Sequence, residues 1–590
     1  INFMKKFTLL LMAMLAMVGF ARADEAQSAL TFQWAHSVDG KTSAGDNVVD
    51  MCKSSDGFYY VATNFGSVDK DLKFSWKSYT VNFDGEPLLG VDGQAIEGSP
   101  YNDGSSYNRN LLLQKVDQQG NVSWNLYTKK GDVDQESVLA ATKDGGLVMV
   151  VKTRAWVKDA GLDNLLEIVD GTGATTTIKD MNTSDSEYRF LVVRLTAEGK
   201  IAWARLFNGL VNYAGTGNFT QNTKNNASVK GLALDDEENI YISGNYRTQL
   251  NFKKSDGSVV TLTAKNVSGW TGDSQKSVGD LYLVKLDKQG YYLNRLTSDS
   301  PAEAAYMDKI AYANGKIYAN GRVAGNGSEF LLGDKKIEAT TGHETLYIAS
   351  INTSDLSVNY ANVVKWSSNT SKWGLHNKGL QYIDGALYST GGVQGSFDLL
   401  ANPKGMYKAY VIKVNPETGE VQNVVASPTT GISEFFGVVV GQSSMYAFGY
   451  DMAQGAILVP YNKLTAEAGT PYIVCKYGIA TLGSAPILDG DYVVMMNRGG
   501  RANSTTAEAT FYGTNTKFSN LAAWGVAYYS YKLNDVATGI NAAKSDAANG
   551  SVSVYTTDGK FLKSASSVAE AKNGLTKGVY VVGNKKVIVE

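Results

Sequence analysis

Apolar and polar residues alternate along this chain in short runs separated by glycine-containing turns, a period of two that predicts β-strands. One kind of run ends in a Lys-apolar-polar triplet or a looser form of it. The clearest copies are Lys115-Val116-Asp117, Arg194-Leu195-Thr196, Lys285-Leu286-Asp287, Lys413-Val414-Asn415 and Lys532-Leu533-Asn534, with weaker ones at Ser350-Ile351-Asn352 and Pro460-Tyr461-Asn462. A second run, aromatic or apolar and often closing on glycine, interleaves with the first, as in Tyr241-Ile242-Ser243-Gly244, 318–321, 388–391 and 446–449. Just before several of these stand Asp56-Gly57, Asp144-Gly145, Asn314-Gly315, Asp384-Gly385 and Asp489-Gly490, dipeptides that suit type I′ hairpins.

One repeat is written out by strands at 228–234, 240–245, 281–286 and 291–296. Four antiparallel strands of this kind make one blade, and seven interleaved copies predict an all-β, seven-bladed propeller over residues 24–534. The last set of strands (485–488, 492–496, 526–533) lacks a fourth member, whereas 30–37 is a spare strand carrying Trp34 in the context seen again at Trp124 and Trp203. The N-terminal strand is therefore expected to complete the last blade and remove an open sheet edge. The repeated tryptophans are expected between blades. Cys52 falls on an innermost strand and Cys475 on an outermost one, too far apart to bond.

Composition agrees with a folded β chain: 590 residues, 43% hydrophobic and 19% charged, with 61 Gly against 9 Pro. Net charge is -2, which leaves no overall cationic footprint for nucleic acid or an anionic membrane surface. Three histidines and two cysteines exclude a His- or Cys-rich metal cluster, and no cofactor is expected.

Residues 1–23 read as an export signal. Lys5 and Lys6 precede an apolar run at 7–20, and Ala21-Arg22-Ala23 suits cleavage before Asp24. The run is short for a membrane span. Expected partners are thus the secretion machinery and an extracellular glycan or protein, with membrane contact only through export or surface attachment, and the expected location is the outer cell surface or the medium.

The unit Leu191-Val192-Val193-Arg194-Leu195, Gly199-Lys200-Ile201-Ala202-Trp203, Gly231-Leu232-Ala233-Leu234 and Asn239-Ile240-Tyr241-Ile242-Ser243-Gly244 resembles the seven-bladed β-propeller repeats of exported bacterial proteins. After an Ala-, Ser- and Gly-rich linker at 535–550, residues 551–590 form a small β-sandwich-like module. Thr538-Gly539-Ile540, Val554-Tyr555-Thr556-Thr557-Asp558-Gly559-Lys560 and Leu575-Thr576-Lys577-Gly578-Val579-Tyr580-Val581-Val582 resemble the C-terminal sorting domain of the type IX (Por) secretion pathway. That resemblance implies passage across an outer membrane.

Long insertions at 64–109, 152–188, 246–279 and 497–523 are expected on one propeller face. Trp76, Trp156 and Trp270 lie in them, and Trp366, Trp373 and His376 lie in the connection between the fourth and fifth repeats. As exposed aromatics these six residues would stack on sugar rings or dock a protein; as ribbon residues (251–264, 330–339) such aromatics would pin an insertion to its blade. No nucleophile elbow, zinc spacing or phosphate-cradling loop is present. The reading favours a surface binding propeller. The alternatives are a propeller glycosidase or lyase with carboxylates drawn from different blades, and a purely structural surface protein. The acidic run Asp235-Asp236-Glu237-Glu238 reads as a turn.

Overall fold

The computed structural model describes residues between 30 and 589 outside 41–45, 68–79, 98–107, 155–165, 179–188, 208–226, 265–278, 299–303, 369–373, 398–406, 478–481, 501–506, 535–551 and a few shorter stretches. The export signal, including Ala21, Ala23 and Asp24, and the linker lie outside them.

The fold is an all-β propeller with almost no helix. Six sheets follow in chain order, each with the same antiparallel path from hub to rim. The first runs Asn47–Lys53, Tyr59–Ser67, Asn108–Val116 and Val122–Lys130; the second Val138–Ala141, Leu147–Arg154, Arg189–Leu195 and Ile201–Phe207; the third Ala227–Leu234, Ile240–Tyr246, Asp280–Leu286 and Tyr292–Thr297. The fourth runs Ala304–Ala313, Lys316–Ala324, Thr345–Asn352 and Val358–Val364; the fifth Leu375–Ile383, Ala386–Val393, Lys408–Val414 and Val421–Ala426; the sixth Ser433–Val440, Ser444–Asp451, Gly455–Asn462 and Tyr472–Tyr477. First strands of successive sheets touch one another, which marks them as the hub.

A composite sheet draws on both parts of the chain. Ile487–Asp489, Tyr492–Gly500 and Trp524–Leu533 pair in sequence, and Leu30–Asp39 adds as the outermost strand, with Leu30 opposite Leu533 and Val38 opposite Val526. The spare N-terminal strand thus sits where the repeat pattern placed it. Six blades are recognisable, rather than the seven of the repeat count. The composite sheet departs from the regular pattern at its inner edge, which is split into Leu482–Gly483 and Ile487–Asp489.

The repeated triplet is an architectural clamp. Lys115, 4% exposed, donates from Nζ to Asp56 Oδ2 (2.6 Å) in its own sheet and to the Ala197 carbonyl (2.9 Å) in the next. Arg194 likewise spans Asp144 (2.8 Å) and Glu238 (3.2 Å). The polar third residue caps the following turn, Asp117 Oδ1 accepting from the amides of Gln119 and Asn121. The tryptophans do pack between sheets: Trp34 Nε1 donates to the Gln118 carbonyl (2.9 Å) and Trp124 Nε1 to that of Ala197 (3.2 Å). A Cβ on Gly120 would lie 2.8 Å from the Trp34 ring, and one on Gly290 2.8 Å from Trp203. Tyr360 continues the ladder, donating to Pro416 O (2.9 Å) where the sequence has lost its tryptophan.

The turn chemistry differs in part from expectation. Asn314-Gly315 and Asp384-Gly385 have two positive φ values each, as type I′ requires. At Gly57, Gly145 and Gly490 only the glycine does. Around Gly57 and Gly145 the hairpin loop is one residue longer, closed by Ser54 N to Phe58 O and by Thr142 N to Gly146 O, so a type I turn ends on a left-handed glycine.

Cys52 lies on an innermost strand and Cys475 on an outermost one, and both are free thiols. Near the C-terminus, Phe561–Ala565, Val552–Thr556, Gly578–Val582 and Lys585–Val589 form a separate four-stranded antiparallel sheet with a one-turn helix, Val568–Ala571. Its core is small, with Val554, Ala565, Ala571 and Tyr580 buried.

A charged collar at the hub

Antiparallel order places the starts of the innermost strands, the ends of the second strands and the starts of the third on one face, the face from which the long insertions leave. At that end the innermost strands share an irregularity. Their ladders with the second strands skip one residue: Val49, Lys230, Asp308, Lys378 and Phe436 in the first, third, fourth, fifth and sixth sheets. A bulge of this kind bends the strand and re-aims the extra side chain.

The glycines that close the second strands are explained by it. A Cβ would lie 2.0 Å from Ser228 O at Gly244, 2.2 Å from Tyr306 O at Gly321, 1.8 Å from His376 O at Gly391 and 2.0 Å from Glu434 O at Gly449. The bulged strand's backbone occupies the space a side chain would need. The same carbonyls receive buried tyrosine hydroxyls from the third strands, Tyr282 to Ser228 O and Tyr347 to Tyr306 O, each at 2.8 Å.

The re-aimed residues and their neighbours make a collar of alternating charge. Glu136 binds Lys152 (2.8 Å) and Lys230. Burial works against its ionisation, but the two ammonium groups hold its carboxyl down at about 2. Arg322 grips Asp308 through Nε (2.7 Å) and Nη2 (3.1 Å) and reaches Glu344 through Nη1 (2.7 Å). Burial alone would raise Asp308; the guanidinium and the Asn377 amide at 2.9 Å keep it below the ordinary carboxylate range. Glu344 has a poorer share of the same guanidinium, and burial pushes it up. Glu434, 5% exposed, takes Lys378 (3.1 Å) and His376 Nδ1, and these hold its carboxyl down against burial.

Asp50 and Lys309 complete the collar. Asp50 accepts from the amides of Met51 (2.9 Å) and Leu139 (3.0 Å) and from Ser484 Oγ (2.9 Å), yet burial raises its pKa. Lys309, half-buried, makes no ion pair with any described residue. Burial first, then the neighbouring Lys230 and Lys378, lower its pKa against the pull of Asp50 and Asp308. No His, Cys, Asp or Glu grouping suited to a metal occurs among the described residues.

Of the two described residues expected at a site, His376 joins this collar, with its ring stacked on Tyr407 at 4.6 Å and its side chain 39% exposed. Trp366 offers no face to solvent. It is 6% exposed, donates from Nε1 to Glu344 O (2.8 Å) and lies against His343, because its strand Trp366–Ser368 pairs with Gly395–Phe397. Trp76, Trp156, Trp270 and Trp373 lie outside the described residues.

Three described ribbons of the insertions lie at the rim. Ribbons from the second and composite sheets pair with the outermost strand of the preceding sheet, Leu166–Val169 with Val122–Lys130 and Ala507–Phe511 with Tyr472–Tyr477. Asn82–Phe83, from the first sheet's insertion, pairs with Leu30–Asp39. These three cover a neighbour's edge, whereas Glu329–Leu332 with Lys335–Glu338 makes a two-stranded sheet by itself and packs against Val358–Val364 of its own blade. Asp235, in the acidic run, spends its carboxylate on its own turn, accepting from the amides of Glu237 and Asn239.

Sequence reading missed Lys230, Asp308, Lys309, Lys378 and Glu434. A signal was available: a charge interrupting an apolar innermost strand, followed in Val229-Lys230-Gly231 and Asn377-Lys378-Gly379 by glycine, is a bulge pattern.

No family model matches this chain, and no curated protein does. Its likenesses are to solved structures. The quinohemoprotein alcohol dehydrogenase of Comamonas testosteroni shares 11% identity at a TM-score of 0.39, over 88% of this chain and 81% of that one. The endosialidase of phage phi92 shares 9% at 0.32, over 85% and 70%, and a Synechocystis apocarotenoid oxygenase mutant 13% at 0.32, over 84% and 95%. These likenesses carry no activity over to this chain.

Proposed function

We propose that this chain is an exported or surface-displayed propeller that binds an extracellular glycan or protein at its hub. The observation that carries the reading is the collar of paired acids and bases, set by recurrent bulges at the end of the hub where the long connections leave. A structural scaffold needs no such investment in desolvated charge, since well-packed apolar residues hold a hub as firmly. In this reading the composite sheet serves as the seventh blade, residues 1–23 direct export, and the C-terminal sheet is the sorting module that engages the secretion machinery.

The test is retention of the purified chain on a panel of immobilised polysaccharides and matrix proteins, with product release read in the same samples. The expected outcome is retention without products, abolished by charge reversal of Glu434. Released oligosaccharide or peptide would replace binding by catalysis, and a chain that neither binds nor cleaves would leave a scaffold.

A further inference from the structure

The repeat shows what belongs between successive blades, and one interface lacks it. On the outermost strands, the residues opposite Lys115, Arg194, Lys285, Ser350 and Lys413 are Trp124, Trp203, Asn294, Tyr360 and Asn423. The turn between the third and fourth strands of the following sheet sets a residue of positive φ at the same level: Gly199, Gly290, Leu356, Gly419 and Ala466. Where the outer residue is aromatic, the turn residue is glycine. A Cβ on Gly199 would lie 2.7 Å from the Trp124 ring and one on Gly290 2.8 Å from Trp203, and one on Gly419 would run into Tyr360. Where the outer residue is Asn294, Leu356 supplies the bulk instead, 4% exposed in a core shared by the third and fourth sheets. Between the fifth and sixth sheets neither filling is made. Asn423 and Ala466 are both small, and they line a cavity of about 70 Å³, open on one side, together with Tyr388, Lys413, Met445 and Tyr461.

Two polar groups at this cavity lack the contacts of their counterparts. Asn294 donates to Asp355 O (3.1 Å), and Lys115 and Lys285 each reach a carbonyl of the next turn, Ala197 O and Thr353 O, at 2.9 Å. Neither Asn423 nor the half-buried Lys413 has a hydrogen bond or ion pair with a described residue. We infer that the cavity between the fifth and sixth blades binds an aromatic ring that carries a carboxylate, the ring entering where Trp124 packs in the first interface and the carboxylate pairing with Lys413.

The filled interfaces select the ring. Trp124 Nε1 and Tyr360 Oη donate to the carbonyl that follows the polar turn residue, Ala197 O and Pro416 O. Its counterpart is the carbonyl of Lys463, a residue that lines the cavity, so an indole or phenol satisfies the site better than a phenyl ring. A closed cavity that holds benzene measures about 150 Å³. The space here takes the edge of one flat ring, with the remainder in the open mouth, and is too narrow for a puckered sugar. These turns lie at the end of the blades away from the collar, so the inference does not rest on the hub reading.

The experiment is calorimetric titration of the full chain with indolepropionate, hydroxyphenylpropionate, the amide of indolepropionate, cyclohexylpropionate and a tripeptide ending in tryptophan. Indolepropionate is expected to bind at least about tenfold more tightly than its amide and than the cyclohexyl acid. Lys413→Met should remove the advantage over the amide. Ala466→Leu, which copies Leu356, and Asn423→Trp combined with Ala466→Gly, which copies the first interface, should each abolish binding and raise the melting temperature, as filling a cavity does.

A second measurement needs no variant. Indolepropionate should slow amide hydrogen exchange in peptides covering 421–426 and 459–466 and leave 304–313 in the fourth sheet unchanged. A tripeptide that binds more tightly than the free acid would make the source a protein chain end, and the reverse a free aromatic acid; both keep the site. Absence of saturable binding by either ring acid, equal affinity for the cyclohexyl acid, binding that persists in the filled variants, or protection confined to other peptides overturns the inference.

Discussion

Gly391 shows how a single residue records the site. Its sequence signal was a strand ending on glycine, a feature that by itself suggests a turn. The structure gives a different reason: the bulge at Lys378 brings His376 O to 1.8 Å from where a Cβ would stand, and the Tyr410 hydroxyl to 2.8 Å. Gly391→Ala is therefore expected to destabilise the protein by about 2–4 kcal/mol through overpacking. Urea unfolding measures it, and an unchanged midpoint would mean that the bulge relaxes at little cost. Polar residues at the hub were hard to read for a related reason. In a regular strand Lys230 or Lys378 would count as one more polar position of the alternation, whereas at the skipped register each reaches an acid of an adjoining sheet, Glu136 or Glu434.

At the scale of elements, the strands and two of the ribbons were legible because alternation and turn residues are local properties. Ribbon strands Gln249–Lys253 and Val259–Thr263 fall within the expected 251–264 region to a residue or two, and Glu329–Leu332 with Lys335–Glu338 match 330–339 as closely. Which ribbons would add to a neighbouring sheet was not legible, since an alternating ribbon can pair with any open edge: these two form two-stranded sheets of their own. Burial of Trp366 follows from the pairing of its short strand with Gly395–Phe397 and takes its ring out of solvent. The ribbon Leu166–Val169 with Thr175–Ile178 covers Val122–Lys130. Replacing residues 166–178 by a Gly-Ser linker should expose that edge and yield oligomers or aggregates by light scattering, with the β-rich circular dichroism kept. A monodisperse monomer would show that the ribbon is dispensable as an edge guard.

For the whole molecule, closure depends on Leu30–Asp39. This strand pairs with Trp524–Leu533, and Trp34 reaches the Gln118 carbonyl and packs on Gly120 in the first sheet, the contact that Trp124 repeats one sheet on with Ala197 and Gly199. Deleting residues 30–39 should cause a large loss of thermal stability or aggregation, because it uncovers a full-length strand edge and breaks that interface. Trp34→Ala, which leaves the pairing intact, should cost about 2–3 kcal/mol. Thermal melts of both variants test the assignment, and an unchanged melting temperature in the deletion would refute closure by this strand.

By itself the sequence determined the repeat, the order of strands, the spare N-terminal strand and the separation of the cysteines, because each follows from period-two patterning and turn chemistry within about ten neighbouring residues. The number of recognisable blades, the routing of three described ribbons to neighbouring edges and the charged collar at the hub were decided only in three dimensions. They depend on which distant strands meet and on one-residue slips in register. A slip reverses the side of the sheet a residue occupies, and no local pattern carries that information.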